Sequence, residues 1–525
     1  MVRWTGLLLL SFLVFLGLCR CADDETSIGP SPEAPFRFWR VLADSSGDWP
    51  TIQQAIDHAR CGDTVAVAGG SYRERLVVDK PLKLLGGWDA LFTAADPATR
   101  ETVLDGEYLG TVLTLRNLRD STSVVDGFVI IHGADGKCAG GLPSAGSLPL
   151  DTPPGSGIYC ENACPIISRN VIRENRALFG AGILCRRGAA RIRSNTITDN
   201  EARESGGGIL CLEFAGSLER NEVYGNVAGQ EGGGIYLSLS EGPIRGGSVY
   251  DNEAGRGGGG ILCRVSNCEF DSIAIWGNRA VNFGGGLFIE GLSSPVFLDC
   301  EILENQTDGE GGGAYCREDC QPVFTLCKFG GNAALGSGGG LHTAAEVMLV
   351  QTRFVENEAE RGGGLMCAAG GLVAARRCLF ESNTARTGGA VAVDRNSHAG
   401  FYRNTFVENS ASVAGGAFYL IAGQITLEAN IVVLSLGGGG IYCWTAAEVE
   451  LLRNDVWNNT GGDYGGVCVE PGVPDPNGNF SADPLFCDGG AGNYCLQVLS
   501  PAVSASGDTL GAFSCGCKGS VEGQR

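Results

Sequence analysis

Residues 252–263 read NEAGRGGGGILC, and the same pattern returns as NRAVNFGGGLFI at 278–289 and as NQTDGEGGGAYC at 305–316. Each copy opens on an asparagine and reaches a glycine cluster followed by an apolar residue. Ten asparagines keep this spacing, at steps of 25 to 27 residues: Asn175, Asn200, Asn226, Asn252, Asn278, Asn305, Asn332, Asn357, Asn383 and Asn409. A fixed period of this length predicts one supersecondary unit that is stacked many times.

The residues around each asparagine are typical of short strands. Three positions before it lies an apolar column: Ile172, Ile197, Val223, Val249, Ile275, Ile302, Phe329, Phe354, Phe380 and Phe406. β-Branched and aromatic residues in runs bounded by glycine and asparagine favour strands, and no run keeps a helical period. The nonapeptide calcium-binding repeat and the leucine-rich repeat have other spacings. We therefore predict an all-β fold, a single right-handed parallel β-helix with three faces.

Asparagine and glycine have structural roles in such a coil. Asparagine tolerates the left-handed backbone region and can hydrogen-bond to its copy one coil away, so we predict a turn ladder. The residue before each asparagine alternates between acidic and small, as in Asp199, Gly225, Asp251, Gly277 and Glu304. Like charges at strand spacing repel each other, and the alternation indicates relief of that repulsion.

The two ends differ from the regular array. Residues 50–59 predict an amphipathic helix that plugs the N-terminal end, with Ile52, Ala55, Ile56 and Ala59 on one side. The predicted organisation is an export signal at 1–22, a flexible linker at 23–38, a cap and first coils at 39–131, a loop insertion at 132–156, regular coils at 157–460, and a cysteine-rich C-terminal cap and tail at 461–525.

Composition points to an extracytoplasmic protein. Arg3 precedes an apolar run from Leu7 to Leu18, which is too short to span a bilayer and typical of an export signal. Cys19 is the candidate for a lipid anchor, and plain cleavage near Ala22 is the alternative. The formal charge of −21 gives no basic stripe for nucleic acid. No later segment is apolar enough to cross a membrane.

The chain has 22 cysteines, which fits an oxidising compartment. Their spacing is not that of a zinc site, and we predict no metal ligands. Stacked strands would bring Cys300 and Cys327 within reach of a disulfide. The other candidate bridges are the local pairs Cys160–Cys164 and Cys316–Cys320.

Two motifs carry a family resemblance. The segment GDWPTIQQAI at 47–56, followed by GDTV at 62–65, resembles the start of pectin-lyase-like right-handed β-helix proteins. The Phe354-x-x-Asn357 and Gly388-Gly389-Ala390-Val391 signatures resemble the repeats of chlamydial polymorphic outer-membrane proteins. The resemblance implies the fold over about residues 40–515. It does not imply one activity, because this fold hosts lyases, hydrolases, esterases, adhesins and passengers.

The leading functional hypothesis is a non-catalytic surface protein for adhesion or for binding an extended polysaccharide or a cell-surface partner. In the strand that follows each glycine cluster, successive side chains alternate between the two faces, and this alternation places one column of side chains outward. Its aromatic members are the candidate ligand-binding residues: Tyr159, Tyr236, Phe288, Tyr315, Tyr419 and Tyr442. The simpler interpretation is that flanking loops cover this column.

The alternative is a polysaccharide lyase or glycosidase. Its chemistry would lie in the long loop, at His132, Asp135 and Asp151, or among coil acids such as Asp251 and Glu304. Two carboxylates at about 5–9 Å can support hydrolysis. A lyase of this kind would use Ca²⁺, but no compact acidic cluster supports a calcium site, and we assign no catalytic residue and no cofactor.

Overall fold

The computed structural model describes residues 36–135, 156–445, 448–468, 475–504, 508–513 and 516–517. The chain forms a parallel β-solenoid whose coils build three long sheets, here called A, B and C. The predicted all-β right-handed parallel β-helix is confirmed. The export signal at 1–22, Cys19, most of the linker, and Asp151 with most of the loop insertion lie outside the described residues.

Sheet B carries the predicted outward column and has 15 strands. Its strands are Leu76–Val78, Leu113–Arg116, Ile158–Glu161, Ile183–Gly188, Ile209–Phe214, Ile235–Ser238, Ile261–Arg264, Leu287–Glu290, Ala314–Cys316, Leu341–Thr343, Leu365–Cys367, Val391–Val393, Phe418–Leu420, Ile441–Cys443 and Tyr464–Gly466. Sheet C has ten shorter strands. They are Arg176–Phe179, Glu201–Ser205, Val227–Ala228, Glu253–Ala254, Arg279–Ala280, Gln306–Thr307, Ala333–Ser337, Glu358–Arg361, Thr384–Thr387 and Ser410–Ala414.

Sheet A has 29 strands in two rows, and most coils turn between the rows. Row one holds Phe38–Val41, Thr64–Ala68, Lys83–Trp88, Val124–Asp126, Ile166–Ser168, Arg191–Arg193, Ser217–Tyr224, Ile244–Tyr250, Glu269–Asp271, Val296–Leu298, Val323–Thr325, Glu346–Val350, Leu372–Arg376, Ser397–Tyr402, Gly423–Glu428 and Glu448–Leu452. Ser217–Tyr224 and Ile244–Tyr250 continue into row two. Row two otherwise holds Gly70–Tyr72, Thr102–Asp105, Phe128–Ile131, Val171–Arg173, Thr196–Thr198, Ala274–Trp276, Glu301–Leu303, Lys328–Gly330, Arg353–Val355, Leu379–Glu381, Thr405–Val407, Ile431–Val433 and Asp455–Trp457.

The predicted asparagine ladder forms along the inside of one turn. All ten asparagines are buried. Asn252 Nδ2 donates to Asn278 Oδ1 at 3.0 Å, and Asn278 Nδ2 donates to Asn305 Oδ1 at 3.0 Å. The inward columns stack in the same way, since the rings of Phe354 and Phe380 are parallel with centroids 4.8 Å apart. Each residue type therefore meets its own kind one coil away, which is how a narrow interior fills without voids.

The predicted N-terminal helix is present as Ile52–His58, with Ile52, Ala55 and Ile56 buried. Thr51 is its N-cap and accepts a hydrogen bond from the backbone N–H of Gln54. The carboxylate of Glu74 accepts from the next free amides, those of Ile52 and Gln53. No helix in the described part of the chain is long and apolar enough to span a bilayer.

The C-terminal tail contains a short hairpin of Phe486–Asp488 and Asn493–Leu496, joined by a 3-10 turn at Gly489–Ala491. It folds back along row two of sheet A. Tyr494 and Leu496 pack against Leu379, Val407 and Val433 of that row. The tail therefore covers a side of the solenoid as well as following its last coil.

Two disulfides join pairs of cysteines within the described residues, Cys443–Cys468 and Cys487–Cys517. The predicted bridges Cys300–Cys327 and Cys316–Cys320 are not formed. All four of these cysteines are buried and remain thiols. Cys300 and Cys327 take positions in a second turn ladder that asparagines occupy in other coils, and their Sγ atoms contact the carbonyls of Leu298 and Thr325. Cys160 lies in register with Cys185 of the next coil, and the predicted Cys160–Cys164 bridge is not formed either.

Candidate functional site

The predicted outward column lies on the outer face of sheet B, as alternation requires. In strand Ile158–Glu161 the side chains of Ile158 and Cys160 join the interior, and Tyr159 points to the other side. The column then continues in register from coil to coil. Its members are Tyr159, Leu184, Leu210, Tyr236, Leu262, Phe288, Tyr315, His342, Met366, Ala392, Tyr419 and Tyr442.

The first half of this outer column is covered. Tyr159, Tyr236 and Phe288 are only 7%, 6% and 1% exposed. They form a small apolar cluster with side chains that precede or follow the strands, such as Phe179 and Phe283. The expectation of an exposed aromatic stripe is therefore wrong for these three residues, and the simpler interpretation of covering loops describes them correctly.

An ion-pair network closes over the covered half. Arg264 Nη2 contacts Glu231 at 2.7 Å and also pairs with Glu290, and its guanidinium lies 5.5 Å from the ring centroid of Tyr236. Burial alone would lower the pKa of Arg264, but Tyr236 and the two buried carboxylates raise it. Arg256 makes a second contact to Glu231 at 2.6 Å. These carboxylates neutralise arginines, so they are not a free acid–base pair.

The second half of the outer column is partly open. Tyr315, Tyr419 and Tyr442 are half-buried. The Tyr315 ring stacks on His342 at 4.8 Å, and the Tyr419 ring stacks on Tyr442 at 5.6 Å with an interplanar angle of 4°. The column thus offers two pairs of stacked rings on one face, several coils apart.

Arg361 and Asp394 join the two sides of the sheet between these aromatic pairs. Arg361 precedes the strand Leu365–Cys367, and Asp394 follows the strand Val391–Val393 of the next coil. Their Nη1 and Oδ2 atoms are 3.5 Å apart. The pair crosses the column at Met366 and Ala392, which are 1% and 0% exposed.

Two buried polar atoms at this crossing have no hydrogen-bond partner among the described residues, namely His342 Nδ1 and Arg361 Nη2. Buried polar atoms are nearly always paired in folded proteins, and each exception calls for an explanation. Burial lowers the pKa of His342 to about 4, so its ring is neutral at neutral pH. The open half therefore combines aromatic platforms with unmet hydrogen-bonding capacity.

Residues 181–358, which include most of the covered half and the start of the open half, match the family model of a right handed beta helix region. The chain has the fold of a right-handed β-helix. No curated protein matches it. The β-helix extends on both sides of the matched residues, since sheet B runs in register from Leu76 to Gly466.

The β-helix places His132, a candidate of the enzyme hypothesis, between two carboxylates. Its Nδ1 is 2.8 Å from Asp105 Oδ1, and its Nε2 is 3.4 Å from Glu174 Oε2. Asp105 also lines a surface cavity of about 610 Å³, together with Arg73 and Glu107. Burial acts to raise the pKa of Asp105. The hydrogen bond from the backbone N–H of Glu107, together with the side chains of His132 and Arg73, lowers this pKa below its ordinary value.

The other acids named for catalysis do not converge in the described residues. Asp251 and Glu304 both occupy the turn position just before a ladder asparagine, and they are two coils apart. In the coil after each of them the same position is a glycine, Gly277 and Gly331. Asp135 lies at the end of a described segment. Arg361 and Asp394 of the open half could not be identified from the repeat pattern. The equivalent positions in neighbouring coils hold other residue types, so no column marks these two charges.

Proposed function

We propose that this β-helix is an exported, non-catalytic protein that binds an extended polysaccharide along the open half of the outer column, from Tyr315 to Tyr442. The observation that carries the proposal is the pair of unpartnered buried atoms, on His342 and Arg361, beside two stacked ring pairs whose tyrosines are partly exposed. Ligand sites are mostly apolar and carry a few precisely placed polar groups. Aromatic rings supply flat apolar area for sugar rings, and the polar atoms supply direction.

The length of the open half suits an extended ligand. Tyr315 and Tyr442 belong to strands five coils apart, and parallel strands are about 4.8 Å from their neighbours. The site therefore runs for about 24 Å along the solenoid axis, the span of several sugar units. A binding or adhesive role at a cell surface also fits the predicted export signal and the disulfides Cys443–Cys468 and Cys487–Cys517, since disulfides persist in oxidising compartments.

Retention on insoluble polysaccharides tests this proposal. The double substitution Tyr419→Ala/Tyr442→Ala removes one stacked pair, and we expect at least tenfold weaker retention on whichever polysaccharide the wild-type protein binds. The matched control is Tyr224→Ala/Tyr250→Ala, which removes a pair stacked at 4.7 Å on row two of sheet A. Thermal unfolding confirms that both variants fold. Equal retention by the two double variants, or no retention of the wild type on any polysaccharide, contradicts the proposal.

A second candidate function is polysaccharide cleavage at the Asp105–His132 pair. The observation that favours it is the hydrogen-bonded imidazole beside a cavity lined by both signs of charge. A cleaving enzyme would release reducing ends or the ultraviolet-absorbing unsaturated product of a lyase, and His132→Gln would abolish that release. If neither product forms with or without Ca²⁺, His132 acts only as a link between coils.

A further inference from the structure

We propose that His342 and Arg361 form a recognition pair for a hydroxyl group, so that the polysaccharide bound on the open half is uncharged. This inference rests on the proposed function and adds the chemistry of its ligand. It follows from the hydrogen-bonding roles of the two unpartnered atoms, which are complementary to each other.

His342 presents an acceptor. Its Nε2 lies 3.7 Å from Glu310 Oε2, and its Nδ1 has no hydrogen-bond partner among the described residues. Nε2 is therefore the ring nitrogen that faces an acceptor, the Glu310 carboxylate. The proton of the neutral ring therefore sits on Nε2, and Nδ1 carries a free lone pair.

Arg361 presents a donor. A guanidinium remains protonated in proteins and has no acceptor atoms, so Nη2 carries only N–H groups. Arg361 lies one coil above His342, since its carbonyl accepts a hydrogen bond from Gly338 N at 2.8 Å and strand Leu341–Thr343 pairs with strand Leu365–Cys367. The positive charge of Arg361 also acts on His342, and it favours the neutral ring.

A hydroxyl group satisfies both atoms at once. It donates its hydrogen to His342 Nδ1 and accepts a hydrogen bond from Arg361 Nη2. A carboxylate has only acceptors, so it would leave the Nδ1 lone pair facing a negative charge. Glu310 and Asp394 add two further carboxylates on either side of the column. Both effects select a neutral sugar over an acidic one.

Nδ1 and Nη2 are both buried in the structure, so the hydroxyl reaches the pair only when the Arg361 side chain moves outward. That side chain is 30% exposed, whereas His342 is 4% exposed. The ion pair of Arg361 to Asp394 is long, at 3.5 Å, so little stabilisation is lost when the guanidinium moves to bind the hydroxyl. Tyr315 stacks against the imidazole and holds the ring plane fixed.

The experiment compares two matched ligands, a neutral glucan and the same glucan after oxidation of its primary alcohols to carboxylates. The test variants are His342→Phe, which keeps a ring for stacking but removes the acceptor, and Arg361→Met, which removes the donor. The control is Arg386→Met, which removes an arginine 61% exposed and paired with Glu360 at 3.3 Å. Thermal unfolding and the circular dichroism spectrum verify the fold of each variant.

We expect the wild type and the Arg386→Met control to retain the neutral glucan at least tenfold better than its oxidised form. His342→Phe and Arg361→Met should each weaken retention of the neutral glucan by about tenfold and bring the ratio of the two ligands toward one. Retention of the neutral glucan by the wild type should also fall as the pH drops through about 4, when His342 gains a proton on Nδ1 and loses its acceptor.

Several results would overturn the inference. One is a wild type that prefers the oxidised glucan or does not distinguish the two. Another is an unchanged ratio in both test variants, which would mean that a buried water occupies the space between the two atoms. If Tyr419→Ala/Tyr442→Ala loses binding while His342→Phe changes nothing, the proposed function stands and the hydroxyl pair falls. If the wild type retains no polysaccharide, both fall.

Discussion

At the scale of single residues, Asp455 is the carboxyl group most perturbed by its surroundings among the described residues. It is fully buried at the start of the last row-two strand, where Oδ1 accepts a hydrogen bond from Ala482 N at 3.0 Å and Oδ2 has no hydrogen-bond partner. Burial, together with the charges of Asp463 and Asp483, raises its pKa from 3.8 to about 7. The folded state therefore keeps a proton that the unfolded state releases at much lower pH.

This difference predicts how stability depends on pH. Because the folded pKa is the higher one, the contribution of Asp455 to stability is intact below about pH 4, falls as the pH rises from 4 to 7, and is lost above 7. Asp455→Asn removes the buried charge and should raise the local unfolding free energy at pH 8 by up to about 4 kcal/mol, with little effect at pH 4. Hydrogen exchange of residues 475–484 measures this free energy.

Asp488→Asn is the matched control, since Asp488 is an exposed acid of the same tail. An Asp455→Asn variant that is stabilised equally at both pH values would show that the titration of this carboxyl is not the cause. A destabilised variant at pH 8 would show that the ionised carboxylate has a stabilising partner.

At the scale of the repeating element, one acid–glycine step of the alternation has a close steric contact in addition to the predicted electrostatic effect. A Cβ atom on Gly277 would lie 2.6 Å from Asp251 Oδ1, because that carboxylate leans over the next coil. Gly331 follows Glu304 in the same way, but its Cβ would meet the Glu304 side chain at 3.4 Å, an ordinary contact. Both glycines have a positive φ, 64° and 61°.

These two glycines allow a paired test. Both Gly277→Ala and Gly331→Ala carry the cost of an alanine at positive φ, about 1 kcal/mol. Only Gly277→Ala also displaces the exposed Asp251 carboxylate, which can rotate away, so it should be more destabilising by about 0.5 kcal/mol or less in thermal or chemical unfolding. The double variant Asp251→Ala/Gly277→Ala should recover that difference. Equal costs for the two single variants, or no recovery, would return the alternation to electrostatics alone.

The element scale also explains which features the sequence could predict. The asparagine ladder, the inward apolar column and the outer column repeat from coil to coil, so ten or more copies point to the same position. The covering side chains Phe283 and Arg264 belong to single coils and have no second copy to mark them. The ion pair of Arg361 and Asp394 likewise occurs once, and it can cross the outer column only where the side chains beneath it, Met366 and Ala392, leave room. Cysteine spacing predicted proximity but not whether Cys300 and Cys327 remain thiols.

At the scale of the whole molecule, the tail makes contacts that no local pattern could show. Tyr494 Oη donates to Glu381 Oε1 at 2.7 Å across 113 residues of sequence, and Ala512 N donates to Thr405 Oγ1 at 3.0 Å across 107. Arg403 pairs with Asp508 on the same side. Repeats contact only their immediate neighbours, so such a tail couples several coils that the solenoid alone would leave independent.

This coupling can be measured with Tyr494→Phe. Burial and the bond to Glu381 raise the pKa of Tyr494, so the phenol is a donor at all ordinary pH values, and its removal should cost about 1.5–3 kcal/mol locally. We expect hydrogen exchange to accelerate at least tenfold in Asn493–Leu496 and in the strands Leu379–Glu381 and Thr405–Val407 beneath them. Coils before Cys316 should not change, because no described tail residue contacts them.

Tyr250→Phe, in row two outside the tail, is the control. Acceleration that is confined to Asn493–Leu496 would show that the tail lies on the solenoid without stabilising it, whereas acceleration throughout would show that the coils unfold as one unit.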